Sequence, residues 1–221
     1  MMKDTNTMIC DKKDDILPDI SEITEKADDV CPVDWARRVI DTARRESCGR
    51  CVMCREGTIQ IHRIISDLAS GRGESQDIEL LQDLCGVIQE TASCQMARTA
   101  ARLVLASIEN HSEEWDIHLK RKRCSALVCP AYFSVHILPD ACKAEGVCVG
   151  KCPESAILGG AGEIHVIDQD RCTRCGLCLD VCPHNAVVKA GAVKPKTPEG
   201  PIPVGSFEGA PRRRRRRRSA D

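Results

Sequence analysis

Apolar residues recur at helical spacing in four segments of the first half of the chain. In the first segment, Pro32 can begin a helix, and Trp35, Val39 and Thr42 then fall on one face as far as Ser47. The three later segments have the apolar faces Ile61, Ile64, Ile65 and Leu68; Ile78, Leu81, Cys85 and Ile88; and Met96, Ala100, Leu103 and Val104. Short connections join the segments, so the pattern predicts a small four-helix bundle.

The ends of the predicted helices are marked by residues that cap or break helices. The second helix is predicted to end at the glycine turn of residues 71–73, and Ser75 is predicted to cap the third helix. The fourth helix is predicted to run from near Gln95 to about Lys120. The sequence therefore predicts a helical domain over residues 31–130.

A second kind of pattern follows the predicted bundle. Residues 137–157 and 167–187 form an internal repeat with an offset of 30 residues, in which Cys142, for example, aligns with Cys172. Each unit reads as a short strand, a loop, a short helix and a strand. This predicts a compact domain over residues 131–190, and the predicted fold class of the whole chain is α+β.

The two ends of the chain lack such patterns. Residues 1–30 are charged and predict a flexible arm, and residues 191–221 are rich in proline and glycine and predict a disordered tail. The tail carries seven consecutive arginines, from Arg212 to Arg218. Without them, 25 basic and 33 acidic residues remain, a net charge of −8. This acidic remainder argues against nucleic-acid binding.

Cysteine is the unusual component of the composition, with 16 among 221 residues. The first thirty residues contain no apolar segment typical of a secretory signal. No stretch approaches the roughly 18 apolar residues of a membrane span. We therefore expect a chain that stays in the reducing cytoplasm, where disulfides are rare and clustered cysteines bind metal.

The second repeat unit contains the pattern Cys172-x2-Cys175-x2-Cys178-x3-Cys182-Pro183. In bacterial ferredoxins with this spacing, three thiolates on one loop bind one iron–sulfur cluster and the fourth cysteine binds the neighbouring cluster. The chain resembles these two-cluster ferredoxins over residues 131–190. The resemblance implies a 4Fe–4S cluster bound by Cys152, Cys172, Cys175 and Cys178, and a second cluster bound by Cys142, Cys148 and Cys182.

The second cluster site departs from the ferredoxin pattern at one position. Glu145 stands where the pattern has cysteine, and Gly146 and Cys148 keep the register, so the departure is not a misalignment. Three outcomes stay open: a 3Fe–4S cluster without a ligand at that corner, a 4Fe–4S cluster with the Glu145 carboxylate or water on the fourth iron, or no cluster. A carboxylate is a harder ligand than a thiolate and would bind this iron more weakly.

A third cysteine motif lies in the helical half. Cys48, Cys51 and Cys54 have C-x2-C-x2-C spacing, and Cys94 follows at the predicted start of the fourth helix. Together with the ferredoxin module, this motif resembles the C-terminal iron–sulfur region of the NADH-binding flavoprotein subunit of complex I. It is even more similar to the related subunit of multimeric FeFe hydrogenases and NAD-linked formate dehydrogenases. The resemblance implies a 4Fe–4S cluster bound by Cys48, Cys51, Cys54 and Cys94.

A zinc site is predicted from cysteines outside the cluster motifs. Cys124 and Cys129 have short metal-ligand spacing, and His118 lies shortly before Cys124. Together with Cys31, at the start of the first helix, they have the composition of a closed structural zinc site. The alternative is a group of buried thiols beside an exposed histidine, and His111 is a rival for the histidine ligand.

The other thiols and histidines show no metal-binding pattern. Cys85 lies on the apolar face of the third helix and is predicted to be a core residue, whereas Cys10, in the polar arm, is predicted to be a free thiol. The histidines expected at the surface or in ordinary hydrogen bonds are His62, His136, His165 and His184.

The sequence contains no counterpart of the glycine-rich loops that bind flavin and NADH in the complex I subunit. We therefore expect neither flavin nor NAD on this chain, and no catalytic site of its own. The resemblance implies a cytoplasmic electron-transfer subunit of a multi-subunit oxidoreductase of the hydrogenase, NADH-linked or formate dehydrogenase type. Its expected partners are the subunits that hold the flavin or the catalytic site, or a soluble ferredoxin. The alternative is a redox- or iron-sensing or scaffold protein that uses a labile cluster at Glu145.

Overall fold

The structure, a computed structural model, describes residues 16–19 and 30–207. The chain forms two compact units, and the division between them falls after Phe133, three residues beyond the predicted boundary. Helices build the first unit, and short strands with two short helices build the second, so the α+β class with a helical first part is confirmed. Cys10 and the run from Arg212 to Arg218 lie outside the described residues.

Four helices of the first unit form a bundle. Their bounds are α1 Pro32–Arg45, α2 Val52–Ala69, α3 Asp77–Thr91 and α4 Gln95–Asn110. Helices α1 and α3 each pack against both α2 and α4. Helix α1 has Pro32 and Asp34 in its first turn and Arg44 and Arg45 in its last, an arrangement that suits the helix dipole.

Two of the predicted helix ends are wrong. Gln76, not Ser75, occupies the N-cap position of α3, and the Asp77 carboxylate accepts a hydrogen bond of 2.7 Å from the backbone N–H of Glu74. Helix α4 ends at Asn110 rather than near residue 120, because the backbone of His111 (φ −129°, ψ 35°) leaves the helical conformation.

Three short elements follow this break. They are α5 Ser112–Asp116, a π-helical turn Ile117–Arg121 and a 3-10 turn Pro130–Tyr132. The π-helical turn ends at Lys122, whose φ of 51° is left-handed. The ammonium group of Lys122 donates a hydrogen bond of 2.6 Å to the carbonyl of Gly73, so this end of the turn is attached to the connection between α2 and α3.

Buried hydrogen bonds join these elements to the start of α1. Trp35 and Trp115 are fully buried. Trp115 Nε1 donates to Ser107 Oγ at 3.3 Å, and Ser107 Oγ donates to the carbonyl of Pro32 at 3.2 Å. The predicted core residue Cys85 is also fully buried, and burial raises the pKa of its thiol to about 12.

The second unit consists of two interleaved copies of the predicted repeat. Its elements are β1 Ser134–Ile137, α6 Val147–Lys151, β2 Ile157–Leu158, β3 Glu163–Ile164, β4 Val166–Ile167, α7 Leu177–Val181, β5 Val187–Ala190 and β6 Ile202–Pro203. Strand β1 pairs antiparallel with β5, from Ser134 opposite Ala190 to Ile137 opposite Val187. Strand β2 pairs antiparallel with β4. Each pairing joins a strand of one copy to a strand of the other.

The segment after residue 190 contains regular structure. Strand β6 pairs antiparallel with β3, with Ile202 opposite Ile164, and the N–H of Val204 donates to the carbonyl of Gly162 at 2.9 Å. The predicted disorder from residue 191 onward is therefore wrong at these positions. Among the described residues, no helix is long and apolar enough to cross a lipid bilayer.

Candidate metal centres

Three cysteine sulfurs and one imidazole nitrogen converge in the first unit. Cys31, His118, Cys124 and Cys129 are buried, and their ligand atoms lie within 4.8 Å of one another. His118 Nε2 is 3.4 Å from the sulfurs of Cys31 and Cys129, which are 3.7 Å apart. A tetrahedral zinc ion with its usual Zn–S and Zn–N bonds would set the corresponding edges at about 3.6 Å and about 3.8 Å. The residues present therefore fit such an ion.

The four side chains come from separate elements. Cys31 directly precedes α1, His118 lies in the π-helical turn, and Cys129 directly precedes the 3-10 turn. The rival ligand His111 lies at the break between α4 and α5 and does not belong to the group. Its buried Nε2 has no hydrogen-bond partner among the described residues.

The other nitrogen of His118 fixes the orientation of the ring. Nδ1 donates to the backbone carbonyl of Glu114 at 2.9 Å and lies 3.4 Å from Glu114 Oε1. The same carboxylate accepts hydrogen bonds from the backbone N–H and the hydroxyl of Ser125, at 2.9 and 2.7 Å. These partners fix the tautomer that leaves Nε2 free to bind a metal.

The three sulfurs influence one another strongly. Hydrogen bonds from Cys129 and Cys31 lower the pKa of Cys124, whereas the contact with Cys124 raises the pKa of both partners. A bound cation would favour the thiolate form of all three cysteines.

The upstream cluster motif lies at the N-terminal ends of two helices. Cys51 directly precedes α2, Cys94 directly precedes α4, and Cys54 is in the first turn of α2. Cys54 and Cys94 are buried in the core of the bundle, whereas Cys48 is exposed. The free N–H groups and the dipole at a helix N-terminus favour a negatively charged group.

The loop that carries the first cysteines of this motif is held by local hydrogen bonds. Ser47 Oγ accepts hydrogen bonds from the thiol of Cys54 at 3.4 Å and from the N–H of Gly49 at 3.3 Å. The guanidinium of Arg55 donates to the carbonyl of Gly49 at 3.0 Å. Gly49 has a left-handed φ of 76°, which a residue with a side chain rarely adopts.

The two ferredoxin-like loops share one backbone conformation. Gly146 and Gly176, which are 30 residues apart, have φ of 74° and 87°. Ala144 and Arg174, also 30 residues apart, have φ of 60° and 61°. Glu145 lies between Ala144 and Gly146. The loop that lacks the second-position cysteine therefore keeps the backbone conformation of the loop that has it.

Each loop lines a cavity, and the two cavities are nearly equal in size. The predicted ligands around the first cavity are Cys142, Glu145, Cys148 and Cys182. The predicted ligands around the second are Cys152, Cys172, Cys175 and Cys178. The fold thus gathers each predicted ligand group, including the cysteine contributed by the other repeat unit, around a single cavity.

The sulfurs around both cavities are partly removed from water. Burial and the neighbouring cysteines raise the pKa of Cys148 and raise that of Cys178 to about 11. Backbone N–H groups are directed at the crossover cysteines, from Ala156 to Cys152 Sγ at 3.3 Å and from Ala186 to Cys182 Sγ at 3.4 Å. Such donors stabilise the negative charge of thiolates bound to a cluster.

Two histidines that showed no partner pattern in the sequence reach the first cavity. His184 Nε2 lies 2.7 Å from Glu145 Oε1. His165 is only 2% exposed, and its Nδ1 faces the sulfurs of Cys142 and Cys148. The expectation of a surface or fully hydrogen-bonded residue is wrong for His165, because its buried Nε2 has no hydrogen-bond partner among the described residues.

Comparison with known proteins finds one iron–sulfur match in each of the two units. Residues 34–118 match the NADH-ubiquinone oxidoreductase-F iron–sulfur binding region. Residues 165–188 match the 4Fe–4S binding domain. The chain combines these two kinds of iron–sulfur domain. By their descriptions, both matched regions bind iron–sulfur clusters.

The curated relatives are subunits of three kinds of enzyme. The NADP-reducing hydrogenase subunit HndC of Solidesulfovibrio fructosivorans is 32% identical over 132 residues, 60% of this chain and 27% of the relative. The F 2 subunit of the NADH-quinone oxidoreductase of Rhizobium meliloti (strain 1021) is 33% identical over 97 residues, 44% of this chain and 23% of the relative. The beta subunit of the NADP(+)-dependent formate dehydrogenase of Moorella thermoacetica is 35% identical over 68 residues, 31% of this chain and 10% of the relative. The chain matches about a quarter of the length of the first two relatives.

Proposed function

We propose that this chain relays single electrons between three iron–sulfur clusters within a multi-subunit oxidoreductase. The observation that carries the proposal is the pair of matched cavities in the second unit, which seven cysteines surround at ferredoxin spacing. Iron–sulfur clusters supply one-electron chemistry at potentials set by cluster type, hydrogen bonds and exposure. The relatives are subunits of hydrogenase, NADH-quinone oxidoreductase and formate dehydrogenase, so a partner subunit would hold the flavin or the catalytic site.

We assign the ligands of the clusters as follows. Two 4Fe–4S clusters would be bound by Cys48, Cys51, Cys54 and Cys94, and by Cys152, Cys172, Cys175 and Cys178. The third cluster would be bound by Cys142, Cys148 and Cys182. Glu145 either binds its fourth iron in a 4Fe–4S cluster or leaves a 3Fe–4S cluster. The loop geometry around Glu145 supports a cluster here, because the backbone keeps the conformation of the complete loop.

We further propose a structural zinc ion on Cys31, His118, Cys124 and Cys129. Four buried protein ligands leave no open position on a tetrahedral ion, which is the arrangement of structural rather than catalytic zinc. The ion would attach the start of α1 to the segment that leads out of the bundle. No electron passes through such a site, because zinc has no redox chemistry.

The experiment is an anaerobic reductive titration of the reconstituted chain with dithionite, followed by reoxidation and monitored by EPR. An electron relay requires that all three clusters accept one electron and return it over repeated cycles. We expect about three electrons per chain in each direction, from one electron per cluster. Uptake of two electrons or fewer, or loss of iron in each cycle, would contradict the relay.

A second candidate function is redox or iron sensing at Glu145. The observation that favours it is the exposure of this residue, since 48% of the carboxylate-bearing side chain is accessible and it pairs with His184. A sensor would lose and regain one iron within the physiological range, whereas a relay would keep a constant iron content. Iron analysis of the chain before and after anaerobic reduction and reoxidation distinguishes the two functions, because loss of one iron on exposure to air is expected of either.

A further inference from the structure

His165 occupies a special position beside the first cavity of the second unit. It lies between β3 and β4 and is 2% exposed. Its Nδ1 is 3.8 Å from Cys142 Sγ and 3.9 Å from Cys148 Sγ. Its Nε2 is buried and has no hydrogen-bond partner among the described residues. The ring therefore presents one nitrogen to two cluster cysteines and leaves the other unused.

The surroundings determine which nitrogen carries the hydrogen. A neutral imidazole carries a single N–H, on one of its two ring nitrogens. A hydrogen on Nε2 would be a buried donor without an acceptor, and the lone pair of Nδ1 would face two sulfurs. A hydrogen on Nδ1 avoids both penalties, because thiolate sulfurs accept hydrogen bonds.

The distances place Nδ1 of His165 within reach of both sulfurs, at 3.8 Å from Cys142 Sγ and 3.9 Å from Cys148 Sγ. An N–H group at these distances has the position of a hydrogen-bond donor to the two sulfurs.

The internal repeat supplies a built-in comparison. The residue 30 positions before His165 is Val135, which lines the second cavity but has no N–H in its side chain. The backbone donors of Ala156 and Ala186 are the same in both sites. His165 therefore adds a side-chain donor to one site that the other site lacks.

The absence of a side chain at Gly159 leaves room for the His165 ring. A Cβ atom on Gly159 would lie 2.7 Å from Cδ2 of His165, and Gly159 has a φ of 128° that side chains rarely allow. The close approach of the Gly159 backbone keeps the ring against the cavity.

We propose that His165 donates a hydrogen bond from Nδ1 to the thiolates of Cys142 and Cys148, and that this bond raises the reduction potential of their cluster. The inference rests on the proposed function, because it requires a cluster in this cavity. Reduction adds negative charge to the cluster, and a donor to its sulfurs stabilises that charge. His165 is thus a positioning residue that tunes the cluster without binding iron.

The test is an EPR-monitored potentiometric titration of the full reconstituted chain at one fixed pH. The variant His165→Val introduces valine, the residue that occupies the equivalent position, Val135, beside the second cavity. We expect a tenfold lower equilibrium constant for reduction of this cluster, which equals a shift of about 59 mV to lower potential. His165→Asn keeps an N–H group near the sulfurs and should restore most of the potential. The cluster of Cys152, Cys172, Cys175 and Cys178 should not change in either variant.

A reciprocal variant keeps the inference testable if His165→Val does not fold. Val135→His adds a donor to the complete site and should raise the potential of that cluster alone. Unchanged potentials in these variants, with all iron retained, would overturn the inference and leave the proposed function intact. A wild-type chain with no iron at Cys142, Cys148 and Cys182 would instead overturn the proposed third cluster, and this inference with it.

Discussion

The carboxylate of Glu145 and the imidazole of His184 form a 2.7 Å pair at the rim of the first cavity of the second unit. In the other repeat unit, the position of Glu145 is occupied by Cys175. Both side chains of the pair are partly exposed, 48% for Glu145 and 37% for His184, so water competes with the contact. The pair is weak enough for the carboxylate to move onto an iron atom, but a carboxylate is a harder and weaker ligand than a thiolate.

Mild oxidation of the wild-type chain should therefore remove one iron from this site and yield the EPR signal of an oxidised 3Fe–4S cluster. The variant Glu145→Cys should abolish that signal and give a stable 4Fe–4S cluster, because it restores the complete C-x2-C-x2-C motif. EPR of air-oxidised and dithionite-reduced samples makes the comparison.

The matched control is Lys143→Cys. It puts a thiol on the same exposed loop, at the position that Thr173 occupies in the other copy, where the ferredoxin pattern has no ligand. This variant should behave like the wild type. If the wild-type chain already shows two interacting reduced cubanes and no three-iron signal, Glu145 is a competent ligand and the predicted lability is wrong.

The zinc site predicts a selective loss of metal. His118→Ala removes one of four buried ligands and should reduce the zinc content from one ion per chain to nearly none, without loss of iron. The control is His111→Ala, which removes the rival histidine and should leave both metals in place, because His111 is not part of the ligand group. Elemental analysis of the purified proteins gives both values. Loss of iron together with zinc in His118→Ala would mean that the two sites share ligands.

The contact between Glu114 and His118 predicts a quantitative effect on the zinc affinity of the same site. The variant Glu114→Gln removes the negative charge 3.4 Å from His118 Nδ1 but keeps the backbone acceptor of that nitrogen. Zinc affinity should fall about tenfold, at the low end of the range for such outer partners. Glu113→Gln is the control, since it removes the neighbouring charge and leaves both acceptors of His118 Nδ1 in place. Competition with a chromogenic chelator measures the affinities, and equal values would contradict the role of Glu114.

The sequence predicted which candidate metal ligands lie together better than it predicted their surroundings. Cysteine spacing is local and repetitive, so the loops around Cys175 and Cys148 could be recognised without knowledge of the fold. The group of Cys31 and His118 was also predicted, from its composition and from the short spacing of Cys124 and Cys129. The role of Glu114 was missed, because it depends on the break at His111 and on the π-helical turn that follows, and neither has a clear sequence signal.

His165 was missed for a different reason. It contacts Cys142 and Cys148 from 23 and 17 positions away, through strand pairing that a linear pattern does not reveal. A signal was nevertheless present, because alignment of the two repeat units places His165 opposite an apolar valine. The strand at residues 202–203 was missed because proline and glycine around it favour a tail without regular structure.

Cys85 provides a control for the assignment of the other cysteines to the proposed metal sites. It is buried between the helices and belongs to none of the proposed metal sites. Cys85→Ser should leave the iron and zinc contents unchanged but lower the free energy of unfolding by about 1–3 kcal/mol, because it buries a hydroxyl without a partner. Chemical denaturation under anaerobic conditions measures the change. Loss of iron from the folded variant would show that a cluster depends on Cys85.

The central claim is that one chain holds three iron–sulfur clusters. Its most direct test is the determination of iron, sulfide and zinc per chain after anaerobic reconstitution. Two 4Fe–4S clusters and a third cluster of three or four irons predict roughly 11 to 12 iron atoms, together with one zinc ion. Eight iron atoms or fewer in the wild-type chain would contradict the third cluster, and with it the proposed three-cluster relay.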